Sequence, residues 1–252
     1  MLSVAGLLAV AVTLAVGTAL AVGTALAGTA RSADDPATVL AAASLAQVVP
    51  KIDPDARVSF GGSNQLAQQA RQGFPFDVFL SASPTYTQAL FTEGLVRKPV
   101  AFATNSLVLI VPKGNPARIA TIGDLVRRPK LRLVVAGPRV PIGLYTREVL
   151  KRLGLLRVLR KTVSLEPDVK GIVAKVALGE ADAGFVYVTD VQSVAGKVRV
   201  ISFPKRAQPT VVYEAAIAAK PRNLVSAQAF LIGLLGSGGR KALRAAGFGL
   251  PE

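Results

Sequence analysis

The chain has 252 residues, 51% of them hydrophobic, with 30 Lys and Arg against 15 Asp and Glu and with no Cys and no His. That inventory excludes disulfides, Cys or His metal sites, thiol nucleophiles and a Ser-His-Asp triad. The net charge of +15 attracts anions, but the basic residues form only scattered pairs such as Arg127-Arg128 and Lys151-Arg152, without interleaved aromatics; nucleic acid is not an expected partner.

Residues 1 to 30 carry no charge and contain a tandem repeat, Val16-Gly-Thr-Ala-Leu-Ala21 followed by Val22-Gly-Thr-Ala-Leu-Ala27. The small-x-small ending Ala25-Leu26-Ala27 and the polar Ser32 to Pro36 that follow favour a cleaved export signal. The run is also long enough for an uncleaved membrane anchor. The absence of Cys removes a lipoprotein anchor. In either case the working domain lies outside the membrane.

Beyond residue 35, short β-type runs alternate with helix-type segments. Val39 to Ala41 reads as a strand and Ser44 to Pro50 as a short helix. Val58 to Phe60 is a strand, Ser63 to Arg71 a helix, Val78 to Leu80 a strand and Pro84 to Phe91 a helix with Pro in its first turn. Ser106 to Val111 and Leu131 to Ala136 are apolar runs of the kind buried on both faces of a sheet. A helix from Ile142 to Leu153, an amphipathic stretch from Val169 to Leu178 and a strand from Ala183 to Tyr187 follow. Val198 to Phe203 and Val211 to Ala218 are strands, and Asn223 to Ala246 gives two helices broken at Gly236 to Gly239. This alternation predicts an α/β fold of two lobes with mostly parallel sheets flanked by helices. The stretches Ala101 to Asn105 and Pro204 to Pro209 are expected to cross between the lobes.

Four strand-to-helix turns are built to present bare backbone N–H groups, which bind anions without Lys or Arg. They are Ala41-Ala-Ala-Ser44-Leu45, Phe60-Gly-Gly-Ser63-Asn64, Val140-Pro141-Ile142-Gly143-Leu144-Tyr145 and Glu166-Pro167-Asp168-Val169. A Ser or Asp at such a place is ordinarily a helix cap, although a capping hydroxyl still has a proton to donate outward.

The same turns, together with Phe76-Asp77-Val-Phe79-Leu-Ser81-Ala82, Asn105-Ser106-Leu107-Val108 through Lys113, and Gly184-Phe185-Val186-Tyr187-Val-Thr-Asp190, resemble the periplasmic molybdate-binding family, in order across residues 38 to 250. The resemblance implies a type II periplasmic binding fold. Lobe 1 would comprise residues 34–103 and 204–252, and lobe 2 residues 104–203. It implies a site in which Ser44 and Ser63 donate hydroxyl and backbone N–H bonds, Ile142 and Val169 offer backbone N–H groups, and Tyr187 offers its phenol. These five would surround molybdate or tungstate as an oxyanion, with no direct ligation of the metal and no cofactor. The implied protein is not an enzyme. It is an exported monomer, in the periplasm or on the outer face of the membrane, that delivers its ion to the permease of an ABC transporter. Asp77 and Asp190 read as caps or turn residues, since carboxylates repel a bound dianion.

One departure stands out. Only 18 residues separate Ser44 from Ser63, roughly two helical turns fewer than in the family. The first helix is therefore expected to be cut to Leu45 to Val49, closed by Pro50 and Pro54. Sulfate remains the alternative ligand, because cavity size and donor geometry set selectivity. A regulator's effector domain would carry a helix-turn-helix where this chain has an apolar segment. An enzyme on the same scaffold would have to work without His, Cys or a carboxylate pair in the cleft.

Overall fold

The computed structural model describes residues 35–251; the expected signal or anchor at 1–30 lies outside the described residues, as do Asp34 and Glu252. In chain order the first half of one lobe contains β1 (Thr38–Ala42), α1 (Val49–Ile52), β2 (Arg57–Gly61), α2 (Ser63–Arg71), β3 (Val78–Ser81), α3 (Pro84–Thr92) and β4 (Val100–Asn105). The other lobe follows with β5 (Leu107–Pro112), α4 (Asp124–Arg127), β6 (Leu133–Ala136), α5 (Pro141–Arg152), β7 (Thr162–Glu166), α6 (Val169–Ala177), β8 (Ala183–Tyr187) and β9 (Val198–Ile201). The chain then returns as β10 (Val211–Ile217), α7 (Leu224–Leu235) and α8 (Ser237–Ala245).

Each lobe holds one five-stranded sheet, ordered β2-β1-β3-β10-β4 and β7-β6-β8-β5-β9. The α/β layering expected from the alternation is present, with a difference in strand direction. In the first sheet β1 runs parallel to β2 and β3, whereas β10 runs antiparallel to β3 and β4. The second sheet repeats this, with β6 parallel to β7 and β8, and β5 antiparallel to β8 and β9. The sheets are thus mixed rather than mostly parallel. β10 enters from the opposite lobe and inserts between β3 and β4, whereas β5, the first strand of its sheet, is flanked later by β8 and β9; each runs against both neighbours.

Burial explains which runs became strands. All of β3, β5, β6 and β8 are buried along their whole length, as apolar runs covered on both faces must be. Three local expectations are corrected. Ala101 to Asn105 is not a loose crossover; it belongs to β4, paired with β10 through Val211↔Asn105 and Tyr213↔Ala103, so the crossing narrows to Asn105-Ser106. The helix expected over Leu45 to Val49 is absent. A single 3₁₀ turn, Ala43–Leu45, is followed by α1, in which Pro50 lies in the first turn and does not close the helix. Proline lacks an N–H that the first turn does not need, so it starts this helix. Finally, β7 is a strand that the sequence did not announce. It pairs only with β6 and leaves Val163 and Leu165 exposed.

The second crossing runs from β9 to β10 through a 3₁₀ turn at Lys205–Ala207. Beside it, the amide of Gln208 grips the first: its Nε2 donates to the carbonyl of Leu107 at 2.8 Å, and the Leu107 N–H donates to its Oε1 at 3.0 Å.

Candidate functional site

The C-terminal ends of β1, β2, β6, β7 and β8 converge on one cavity of about 20 Å³. It is far smaller than a drug-sized site and suits at most one small ion. From the first lobe it is lined by Ala42, Ala43, Ser44, Gly61, Gly62, Ser63 and Ala82. From the second come Val140, Pro141, Ile142, Asp168, Val169 and Tyr187. The structure therefore brings together all five residues singled out in the sequence: Ser44, Ser63, Ile142, Val169 and Tyr187. No Lys or Arg lines the cavity.

Each lining group is set by its local backbone. Ser44 sits in the 3₁₀ turn after β1 and is buried; its Oγ lies 2.9 Å from the hydroxyl of Tyr213 on β10. Ser63 is the first residue of α2, and its Oγ accepts the backbone N–H of Ala82 at 3.1 Å. With that acceptor role filled, its own proton is available for the cavity. Pro141 occupies the first turn of α5, so Ile142 contributes the first N–H of a helix whose opening amides have no intrahelical acceptor. Gly143 lets α5 start this close to β6: a Cβ there would stand 2.1 Å from the Gly137 carbonyl oxygen.

Asp168 caps α6 through one carboxylate oxygen, which accepts the N–H of Lys170 at 2.7 Å and of Gly171 at 3.3 Å. That leaves Val169 N–H outside the cap. The carboxylate is thus committed to its own helix, and the aligned dipoles of α2, α5 and α6 supply the positive potential.

Tyr187 closes the floor. It is 1% exposed at the end of β8, and its hydroxyl is buried with no hydrogen-bond partner among the described residues. Burial, reinforced by Tyr213, Tyr145 and Asp190, holds its pKa well above the ordinary phenol value, so it keeps its proton. Its ring meets Tyr145 and Tyr213 edge-on, with centroids 6.5 and 5.9 Å apart. Behind it Asp190 accepts the Tyr187 N–H at 3.2 Å and pairs with Lys170 at 3.1 Å. The sequence reading of Asp190 as a structural residue agrees with these contacts. Asp77 likewise accepts the N–H groups of Thr38 and Asn223, each at 2.8 Å.

The lobes meet at the rim of the cavity. A Cβ on Gly62 would stand 2.4 Å from the Pro167 carbonyl oxygen, and the Tyr86 hydroxyl donates to the Arg139 carbonyl. Sequence reasoning missed Tyr213, which lies in no turn motif, and the Gly62–Pro167 contact, whose two residues sit in separate turn motifs that only the fold brings together.

The chain matches the family model described as bacterial extracellular solute-binding protein over residues 37–249. It is 37% identical over 223 residues to the molybdate-binding protein ModA of Mycobacterium tuberculosis, covering 84% of each chain. It is 31% identical over 241 residues to the molybdate-binding protein ModA of Escherichia coli, covering 88% of this chain and 92% of that one. Among solved structures, the periplasmic molybdate-binding protein of Azotobacter vinelandii superposes with a TM-score of 0.75 at 24% identity. That match covers 85% of this chain and 100% of that one, and shares the fold.

Proposed function

The chain belongs to the family of bacterial extracellular solute-binding proteins, and from that premise we propose that it captures molybdate or tungstate between its lobes and delivers the ion to the membrane permease of an ABC transporter. Such a protein binds and releases its ligand unchanged and performs no catalysis. The observation that carries the ligand class is the buried, unpartnered hydroxyl of Tyr187 at a cavity that also receives Ser44 and Ser63 but no cationic side chain. A buried hydroxyl without a partner carries a desolvation penalty that a bound acceptor removes.

In this reading the Ser44, Ser63 and Tyr187 hydroxyls and the N–H groups of Ile142 and Val169 surround the oxyanion. Each charge-assisted bond contributes roughly 1.5–3 kcal/mol. Five of them, less desolvation and closure costs, reach about −8 kcal/mol or better, which is sub-micromolar. Dipoles and hydroxyls suit a carrier because full cations would retain a dianion that has to be handed on. The lobe division expected from the sequence, 34–103 and 204–252 against 104–203, moves at its first boundary to Asn105, where β4 ends. The protein acts as a monomer in the periplasm or on the outer face of the membrane. Names given to the relatives support the choice of molybdate.

Isothermal titration of the full chain with molybdate, tungstate, sulfate and phosphate tests the reading. Tight one-to-one binding of molybdate or tungstate, with sulfate and phosphate far weaker, is the expected result. Equal binding of sulfate would move the assignment to that anion, and no binding at all would remove the oxyanion reading.

A further inference from the structure

We propose that Tyr213, oriented by Asn105, holds the hydroxyl of Ser44 as a donor toward the cavity and so biases the site against oxyanions that carry a proton. This inference rests on the oxyanion reading above and concerns two residues outside the cavity lining. Geometry leaves the donor between Ser44 and Tyr213 open, and the direction is inferred from the neighbouring groups. The backbone N–H of Ser106 donates to Asn105 Oδ1 at 2.9 Å, which assigns the amide. Its Nδ2 therefore faces Thr189 Oγ1 at 3.0 Å and the Tyr213 hydroxyl at 3.4 Å.

An amide nitrogen only donates, so the Tyr213 oxygen accepts from Asn105. The Tyr213 ring is 0% exposed, and burial keeps its phenol far above the ordinary range; the hydroxyl proton stays on and needs an acceptor. The Tyr187 hydroxyl also lies nearby, but Ser44 Oγ at 2.9 Å is the neighbour that meets hydrogen-bond geometry and remains to accept it. Tyr213 therefore donates to Ser44, and Ser44 turns its own proton to the cavity. Ser63 reaches the same polarity through the Ala82 N–H. A serine free to rotate can accept a proton from hydrogenphosphate as readily as it donates to molybdate. One held by Tyr213 has its proton directed to the cavity and only one lone pair left, which suits an ion presenting acceptors on all sides.

The test is a double-mutant cycle on the full chain, with wild type, Tyr213→Phe, Ser44→Ala and the double variant titrated with molybdate and with phosphate at pH 8. Phe keeps the edge-on ring contacts with Phe102, Tyr187 and Phe248. Tyr213→Phe is expected to weaken molybdate binding about fivefold and to weaken phosphate less, narrowing the ratio between them. In the Ser44→Ala background the same change should cost less than about twofold. Should Tyr213→Phe fail to fold by circular dichroism, Asn105→Ala takes its place in the cycle with the same expected direction. Equal losses in both backgrounds, or an unchanged ratio, would overturn the inference while leaving the functional reading intact. A wild-type chain that binds no oxyanion would overturn both.

Discussion

The hydroxyls of Ser44 and Tyr213 lie 2.9 Å apart although 169 positions separate them in the chain. Ser44 leaves the first strand of the lobe, and Tyr213 sits on the strand that returns last. The hydroxyl that positions Ser44 therefore arrives only when β10 inserts beside β3 and β4. Positioning of Ser44 in this lobe thus depends on closing a loop that contains the whole of the second sheet.

Tyr187→Phe should have effects of opposite sign on stability and binding. Removing a buried hydroxyl with no partner recovers a desolvation penalty of about 1–3 kcal/mol, so the ligand-free variant should melt at the wild-type temperature or above. Molybdate affinity should drop by about tenfold or more, the equivalent of one charge-assisted bond. Thermal melts with and without molybdate, beside a titration, measure both. A variant that melts lower and binds normally would contradict the assignment of this hydroxyl.

Gly62→Ala introduces a methyl 2.4 Å from the Pro167 carbonyl oxygen on the facing lobe. The backbone there, at φ −66° and ψ 131°, accepts alanine, and the close atom within the same lobe, Asn64 Oδ1 at 2.8 Å, is the end of a side chain that can turn aside. What suffers is closure, at a cost of about 1–3 kcal/mol, or roughly tenfold to a hundredfold in affinity. Small-angle scattering in saturating molybdate should show a larger radius of gyration than for wild type, with an unchanged melting temperature without ligand.

Asp190 gives a pH signature. Burial pushes its carboxyl up to about 6 from 3.8, against the pull of Lys170 and of the Tyr187 N–H, and Asp168 adds to the rise. Between those two values the folded state holds a proton that the unfolded state has released, so this group's contribution to stability falls as pH rises through the window. Relative to wild type, Asp190→Asn should therefore gain melting temperature from pH 4 to about pH 6 and level off by pH 7. A constant difference across that range would show that the carboxyl titrates normally.

Asp77→Ala should destabilise without touching the ligand. Asp77 is 1% exposed and joins the start of β1 to the start of α7 through Thr38 and Asn223. Losing both bonds in a buried setting should cost about 3 kcal/mol. Denaturant unfolding gives that figure, and molybdate titration of the folded variant should match wild type.

Much of the site was legible because its chemistry is local. Gly61-Gly62-Ser63 and Val140-Pro141-Ile142 announce exposed helix starts by residue type alone, and Tyr187 ends a uniformly apolar run. Tyr213 gave no such sign, since it occupies an ordinary strand position and its partner is set by topology. The fold was readable wherever burial shaped composition, as in β5 and β6. It was misread at β4, whose Ala101, Ala103 and Asn105 are weak strand formers held by β10. It was missed at β7, an edge strand whose Val163 and Leu165 face solvent, so that hydrophobicity and burial do not coincide.

The Gln208 clasp on Leu107 turns two separate connections into one axle. Lobes joined by two independent strings can twist and slide as well as open, whereas lobes joined by a tied pair keep chiefly the opening coordinate. A captured ion then escapes by one route, and its residence time is governed by one rate. Cutting the clasp with Gln208→Ala would multiply the routes and blur that single rate into several.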